Sequence, residues 1–314
     1  MAKLRKYTKE QRIARRQPYL PDGEQQLVKI VPPREGESRS TRRLLIGVAL
    51  AFVLLMLVLP LILVLTNALR EGFQFYWQAV TTRNSLSALR VTAIATAVAV
   101  AVNTLFGLMA AWLLTKFDFR GRSLLSTSID IPFSISPVIA GLAFIMTFGR
   151  MGWAAPLLDK VNSLLGTDIA LVFSVPGVVL ATIFVTFPFV SRELIPVLNA
   201  QGRDEEEAAA LMGAGGFTIF RRVTFPHIRW ALLYGVILCT ARAMGEFGAV
   251  YALSKTRGKT FTLPLEVDAL YMAGGDASIT QAFAVSSLLV VMALILLVLR
   301  NIVEYSGRKS GELK

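Results

Sequence analysis

Six stretches of this chain run for about twenty residues or more with almost no charge: 44–66, 91–114, 124–148, 171–190, 231–253 and 281–299. A bilayer's hydrocarbon core, about 30 Å thick, takes about 20 apolar residues in a helix. Backbone in lipid must satisfy its own hydrogen bonds, which leaves helices or closed barrels. The pattern predicts an all-α, polytopic membrane protein with about six transmembrane helices. The sequence is 54% hydrophobic and 17% charged, against about 25% charged in soluble domains. The first stretch exceeds the 7–15 apolar residues of a secretory leader and reads as an uncleaved span. The third and fourth are punctuated, one by Asp130, Pro132 and Pro137 and the other by Pro176 and Pro188.

Net charge is +12, and 12 of the 33 Lys and Arg fall in residues 1–43. Beside membrane spans, such an arm reads as a flexible tail against anionic lipid rather than a nucleic-acid binder; a short amphipathic helix before Pro18 is an alternative for part of it. Counting Lys and Arg loop by loop puts 24 on one side and eight on the other. The richer side should be cytoplasmic. Both termini then face the cytoplasm, with a basic arm over 1–43, the membrane domain over 44–300 and a tail over 301–314. Cys239 is the sole cysteine and His227 the sole histidine, so neither an internal disulfide nor a Cys/His metal cluster is expected. No cofactor or catalytic group is indicated. The small residues of "AIATAVAVAV" suit close helix packing in lipid.

The connection over about 191–230, between spans four and five, contains "EEEAAALMGAGGFTIFRRVTFP", Glu205 to Pro226. Asp204 and Glu205 suit a helix start, and the alanines, Leu211 and Met212 continue it. Glycines over 213–216 stop it, and a second helix is predicted from Phe217 towards Pro226. A helical hairpin at the membrane face is expected, rigid enough to serve as a handle.

Within span five, "TARAMGEFGAV" places Arg242 and Glu246 four residues apart, on one face of a helix. Each charge costs about 2.5–3.5 kcal/mol at mid-bilayer, so both should face the bundle interior or a hydrated route. Two readings stand: a structural ion pair, or positive potential along an anion's path. "GKT" at 258–260 lacks the first glycine of a phosphate-binding loop, since Leu253 occupies it. "GAGG" at 213–216 fails the dinucleotide fingerprint at Thr218.

The hairpin resembles the Glu-Ala-Ala loop of ATP-binding-cassette importer permeases of the type I, MetI-like fold. The match runs Glu207-Ala208-Ala209, Gly213, Val223 and Phe225-Pro226, with Val and Phe in place of the pattern's Ile and Leu. "RAMGEFGA" resembles the signature of sulfate and molybdate permeases. "FPHIRWALLYGVIL", "RNSLSALRVTAIA" and "FDFRGRSLLSTSIDIPFSISPVIAGL" are most similar to the CysW-type sulfate/thiosulfate branch. The resemblance covers residues 80–300 and leaves the arm outside it. It implies a transport subunit in a prokaryotic inner membrane that hydrolyses nothing itself. It also implies that Glu207, Ala208, Ala209, Gly213, Val223 and Pro226 belong to a coupling element docking on an ATPase subunit. The implied partners are two ATP-binding subunits, a second homologous permease and an external sulfate-binding protein. A molybdate or tungstate permease, an ion-coupled secondary transporter and a membrane scaffold remain as rivals.

Overall fold

The computed structural model describes residues 39–168 and 170–309. The arm before residue 39, with its amphipathic-helix alternative, lies outside the described residues, as does the tail beyond 309. Every described element is a helix. In chain order they are α1 (Arg39–Val53), a π turn (Leu54–Val58), α2 (Leu59–Ala68), α3 (Phe73–Thr81), α4 (Arg83–Lys116), α5 (Arg122–Ser134), α6 (Pro137–Phe148), α7 (Ala155–Leu165), α8 (Val175–Thr186), α9 (Pro188–Gln201), α10 (Asp204–Leu211), α11 (Gly216–Ile219), a second π turn (Phe220–Thr224), α12 (Phe225–Met244), α13 (Gly248–Leu253), α14 (Leu263–Ala273) and α15 (Asp276–Lys309).

The chain divides into two compact units, up to Val58 and from Leu59 onward. Of the first, the described part is α1 and its π turn, and all its described side chains from Ser40 on are exposed. In water this would be untenable for "LLIGVALAFVLLMLV"; in lipid it is what an apolar helix does.

In the second unit, α4 carries the framework. Its buried residues recur every three or four positions, through Ala88, Val91, Ala95, Ala99, Asn103, Gly107 and Ala111. The small-residue run is thus a packing seam. A Cβ on Gly107 would stand 3.0 Å from the Val190 Cβ, and one on Gly235 would stand 3.3 Å from the Val190 Cα. Helix α9 therefore fits between α4 and α12 through glycine-sized gaps, where dispersion replaces the hydrophobic effect as the attraction. Ala111, Val190, Leu194, Leu198, Ile228, Ala231 and Cys239 form that core. A second cluster, with Ala88, Leu263, Leu270, Ala282 and Val285, ties α4 to α14 and α15.

Among the described residues, five helical stretches are long and apolar enough to cross a membrane: Ser40–Ala68, Arg83–Lys116, Val175–Gln201, Gly216–Met244 and Asp276–Gly307. The pair α5–α6 makes a sixth if it is one span, bent by 108°. Four expectations are revised. The third span, 124–148, is broken, because Pro137 pushes Ser136 out of helical backbone; Ile135 and Ser136 are indeed extended, with ψ 133° and 130°. The fourth span runs on to Gln201, so the polar connection is far shorter than 191–230. The fifth, predicted to reach residue 253, ends at Met244, and α13 is a separate short helix. The predicted tail begins inside α15, which continues to Lys309.

Candidate functional site

The hairpin lies between α9 and α12. Asp204, Glu205, Glu206 and Glu207 fill the first turn of α10, where negative charge meets the positive end of the helix dipole. The helix ends in a Schellman turn. Gly213 N–H donates to the Ala210 carbonyl at 2.9 Å and Ala214 N–H to that of Ala209 at 3.0 Å, with Gly213 at φ +86°. That left-handed backbone favours glycine strongly.

The second helix does not stop near Pro226. It passes through a π turn, in which Phe225 N–H donates to the Phe220 carbonyl five residues back, and continues as α12. The widened turn accommodates Pro226, which lacks an N–H and would crowd an ordinary α-helical turn.

What holds the hairpin to the bundle is a set of contacts that motif reading missed. Lys116, the last residue of α4, places its Nζ 3.0 Å from Glu206 Oε1 and donates to the Gly202 carbonyl at 2.5 Å. Thr224, buried, donates to the same Glu206 oxygen at 2.6 Å. Arg203 lies 3.4 Å from Asp118, which also pairs with Arg122 at 2.7 Å. Helical spacing identifies the inward acid: Ala209 is the buried residue of α10, and Glu206 is one turn before it on the same face.

Of the residues picked from sequence, Glu207, Ala208 and Gly213 are exposed, and Val223 and Pro226 are half-buried. Ala209, 8% exposed, packs inward against the chain itself. The bare surface lies at the tip. Leu211 is 90% exposed, Met212 82% and Phe217 77%. A Cβ on Gly215 or Gly216 would meet nothing within 4 Å. The isolated chain does not need those two glycines for space, and the open backbone leaves room for another surface.

Arg242 and Glu246 do meet, Nη1 to Oε2 at 2.5 Å, but not along one helix. Arg242 is in the last turn of α12 and Glu246 in the break after it. The Glu246 side chain is 2% exposed, and its Oε1 accepts from Ala249 N–H at 2.9 Å, at the start of α13. The two helix breaks pack together: a Cβ on Gly248 would come 2.9 Å from Pro137 Cβ, and one on Gly141 would come 2.6 Å from the Ala249 carbonyl oxygen. The carboxylate therefore anchors the α13 start against the α5–α6 bend. His227 Nδ1 lies 2.7 Å from the Val223 carbonyl oxygen and its Nε2 3.5 Å from Glu205.

Residues 103–310 match the family described as binding-protein-dependent transport system inner membrane component. The chain is 46% identical over 262 residues to the sulfate transport system permease protein CysW of Synechocystis, covering 83% of this chain and 92% of that protein. It is 37% identical over 217 residues to the permease protein CysT of Salmonella typhimurium, covering 67% and 76%. Among solved structures, a bacterial alginate ABC transporter in complex with an alginate-pentasaccharide-bound periplasmic protein superposes with a TM-score of 0.66 at 17% identity, over 87% of this chain and 96% of that one. At that identity the likeness speaks for the fold alone.

Proposed function

The chain belongs to the family of binding-protein-dependent transport system inner membrane components, of the CysW permease type, and from that premise we propose that it carries sulfate, and thiosulfate with it, across the prokaryotic inner membrane. It is a multi-pass permease subunit of an ATP-binding-cassette importer; in this reading the ATP is hydrolysed by separate subunits. The hairpin end of the bundle faces the cytoplasm, consistent with its share of Lys and Arg. A CysT-like second permease completes the pore, and an external binding protein delivers the anion.

One observation carries the coupling role. The hairpin is stapled to α4 through Lys116, Glu206 and Thr224, yet its tip shows Leu211, Met212 and Phe217 to solvent. A rigid element with a bare apolar end suits transmission of force from a docked ATPase subunit. Closure of the ATP-binding subunits would move α10, and through Lys116 the long helix α4, tipping access from one side to the other. Glu207, Ala208 and Gly213 rim that contact, while Ala209 and Glu206 keep the handle stiff. Arg242 and Glu246 act here as a structural pair holding the two helix breaks together.

Labelled-sulfate uptake into membranes with and without this chain tests the reading, with thiosulfate and molybdate as competitors. ATP-dependent uptake that disappears with the chain and yields to sulfate and thiosulfate is expected. Competition by molybdate alone would reassign the substrate, and uptake indifferent to ATP would overturn the coupling role.

A further inference from the structure

A further arginine–carboxylate pair joins two of the apolar helices, α5 and α9. Arg192 of α9 donates from Nε to Asp130 of α5 at 2.9 Å, and its guanidinium lies over the Phe133 ring at 4.4 Å from the centroid. Unlike the buried carboxylates elsewhere, this pair is open: the Arg192 side chain is 52% exposed and that of Asp130 45%. The span Val175–Gln201, of 27 residues, is about 40 Å long, so it overreaches a core about 30 Å thick by only about 5 Å at each end. Arg192 stands nine residues, or roughly 13 Å, from that helix end. On an upright span centred in the bilayer it would lie within the hydrocarbon zone, where an exposed charge facing lipid costs about 2.5–3.5 kcal/mol. Water or another protein surface must cover it.

Towards the hairpin end, one to two turns away on the same faces, α5 and α9 flank a cavity of about 500 Å³ lined by Arg122, Ser123, Ser126, Thr127, Ile195 and Asn199, with Leu114 of α4 behind it. Among the described residues, no hydrogen bond engages the hydroxyls of Ser123 and Ser126, the Asn199 amide or the terminal nitrogens of Arg192. All four can donate. Above them Ser134 and Ser136, both exposed, flank the α5–α6 bend. A lane of hydroxyls thus runs along α5 from the hairpin end to the break in the helix.

We propose that this lane is the inner half of a hydrated anion passage, and that Arg192, with Ser123, Ser126 and Asn199, forms a low-affinity way-station for a tetrahedral dianion. The proposal rests on the permease reading above. Donors without acceptors suit an oxyanion. Asp130 and Asp118, paired with Arg192 and Arg122, keep the local charge near neutral, so the anion is held weakly and released.

The buried Cys239 is the chain's sole cysteine, so labelling of a substituted cysteine is read on this chain's own band, against the unsubstituted complex as background. In inside-out vesicles holding the assembled transporter, Ser126→Cys is treated with a membrane-impermeant sulfonate-bearing methanethiosulfonate or with an apolar maleimide. The sulfonate reagent should label it, and saturating sulfate should slow labelling several-fold. Labelling by the maleimide alone would place the lane against lipid, and labelling by neither would place it under another protein surface. Labelling that sulfate does not slow would mean water without a way-station. Each of these overturns the proposal. As a second arm, Arg192→Gln with Asp130→Asn should raise KM for sulfate roughly tenfold with kcat little changed, the equivalent of about 1.4 kcal/mol; an unchanged KM in assembled complex would also overturn it. If right-side-out vesicles holding the unsubstituted transporter, loaded with ATP and given the external binding protein, take up no sulfate, it is the permease reading that fails, and the labelling still reports whether the lane is wet.

Discussion

The connection between α13 and α14 closes upon itself, whereas the connection between α9 and α12 is left open at its tip. In the first, Arg257 grips Glu266 with Nε at 2.9 Å and Nη2 at 2.6 Å, and Glu266 is fully buried. Hydrogen bonds to that carboxylate push the Arg257 guanidinium still higher than its ordinary pKa. Ser254 donates to Thr260 at 2.8 Å, Ser87 to the Gly258 carbonyl at 2.7 Å, and Leu263 N–H to Thr92 at 2.8 Å. Gly258, at φ +78°, leaves only 2.8 Å between a would-be Cβ and Asn84 Oδ1. The hairpin shares the stapled base but not the closed top. Its glycines face open space and its largest apolar side chains face outward. One connection pairs its polar groups within its own chain; the other keeps apolar surface exposed at its tip.

Four substitutions separate the two, ranked by their effect on the chain's own stability. Glu266→Ala strips the partner from Arg257 and should cost about 3 kcal/mol, the low end for breaking a buried ion pair, because Arg257 is 39% exposed and can turn to water. Thermal unfolding of the detergent-extracted chain measures it. Replacing both residues by leucine should recover most of the loss, because the pair's removal leaves no stranded charge. If Glu266→Ala unfolds at the unsubstituted temperature, the loop is not the closed unit described here.

Glu206→Ala comes next, at about 1.5–3 kcal/mol, the usual worth of a hydrogen bond to a charged group. Lys116 would keep the Gly202 carbonyl but lose its carboxylate, and Thr224 would lose its acceptor. Hydrogen exchange should rise in α10 and at the end of α4 together. A rise confined to α10 would mean that the staple does not transmit to the long helix.

Gly213→Val follows, at about 1–2 kcal/mol for a branched residue in left-handed backbone. Insertion into the membrane should survive while ATP-driven sulfate uptake falls. Normal uptake would show that the Schellman turn is dispensable for coupling.

The sequence made one region much more legible than the other. The hairpin turn could be read because a run of helix formers meets glycine at 213, and glycine is the cheap residue at φ > 0. The orientation of its acids could not, since "DEEEAAAL" carries no apolar stripe; only the burial of Ala209 shows that Glu206, not Glu207, points inward. Helix α12 ends at Met244 with Gly245 as its cap, and the packing of Gly248 against Pro137 just beyond is a tertiary contact that no hydropathy window records. Arg192 was assigned to a polar loop and Asp130 to an interruption, because hydropathy windows weigh residues singly. Their pairing across two helices is a property of packing. The closed loop gave the least signal: "SKTRGKT" reads as an ordinary polar turn, and its anchors Thr92 and Glu266 lie in other helices.

Phe217→Ser sharpens the comparison most although it should disturb the chain least. A side chain 77% exposed contributes little to folding, and its replacement should shift stability by no more than about 0.5 kcal/mol. In a docked complex the same ring would be desolvated, and burying a phenylalanine side chain is worth about 1.5–3 kcal/mol. The variant should therefore unfold at the unsubstituted temperature yet retain roughly ten- to a hundredfold less ATP-binding subunit on co-purification. An equal substitution at Leu211 should act in the same way, while one at the buried Leu263 of the opposite end should do the reverse, lowering stability. If Phe217→Ser keeps its full complement of ATPase, the open tip is not the docking surface, and the contrast between the two connections loses its functional meaning.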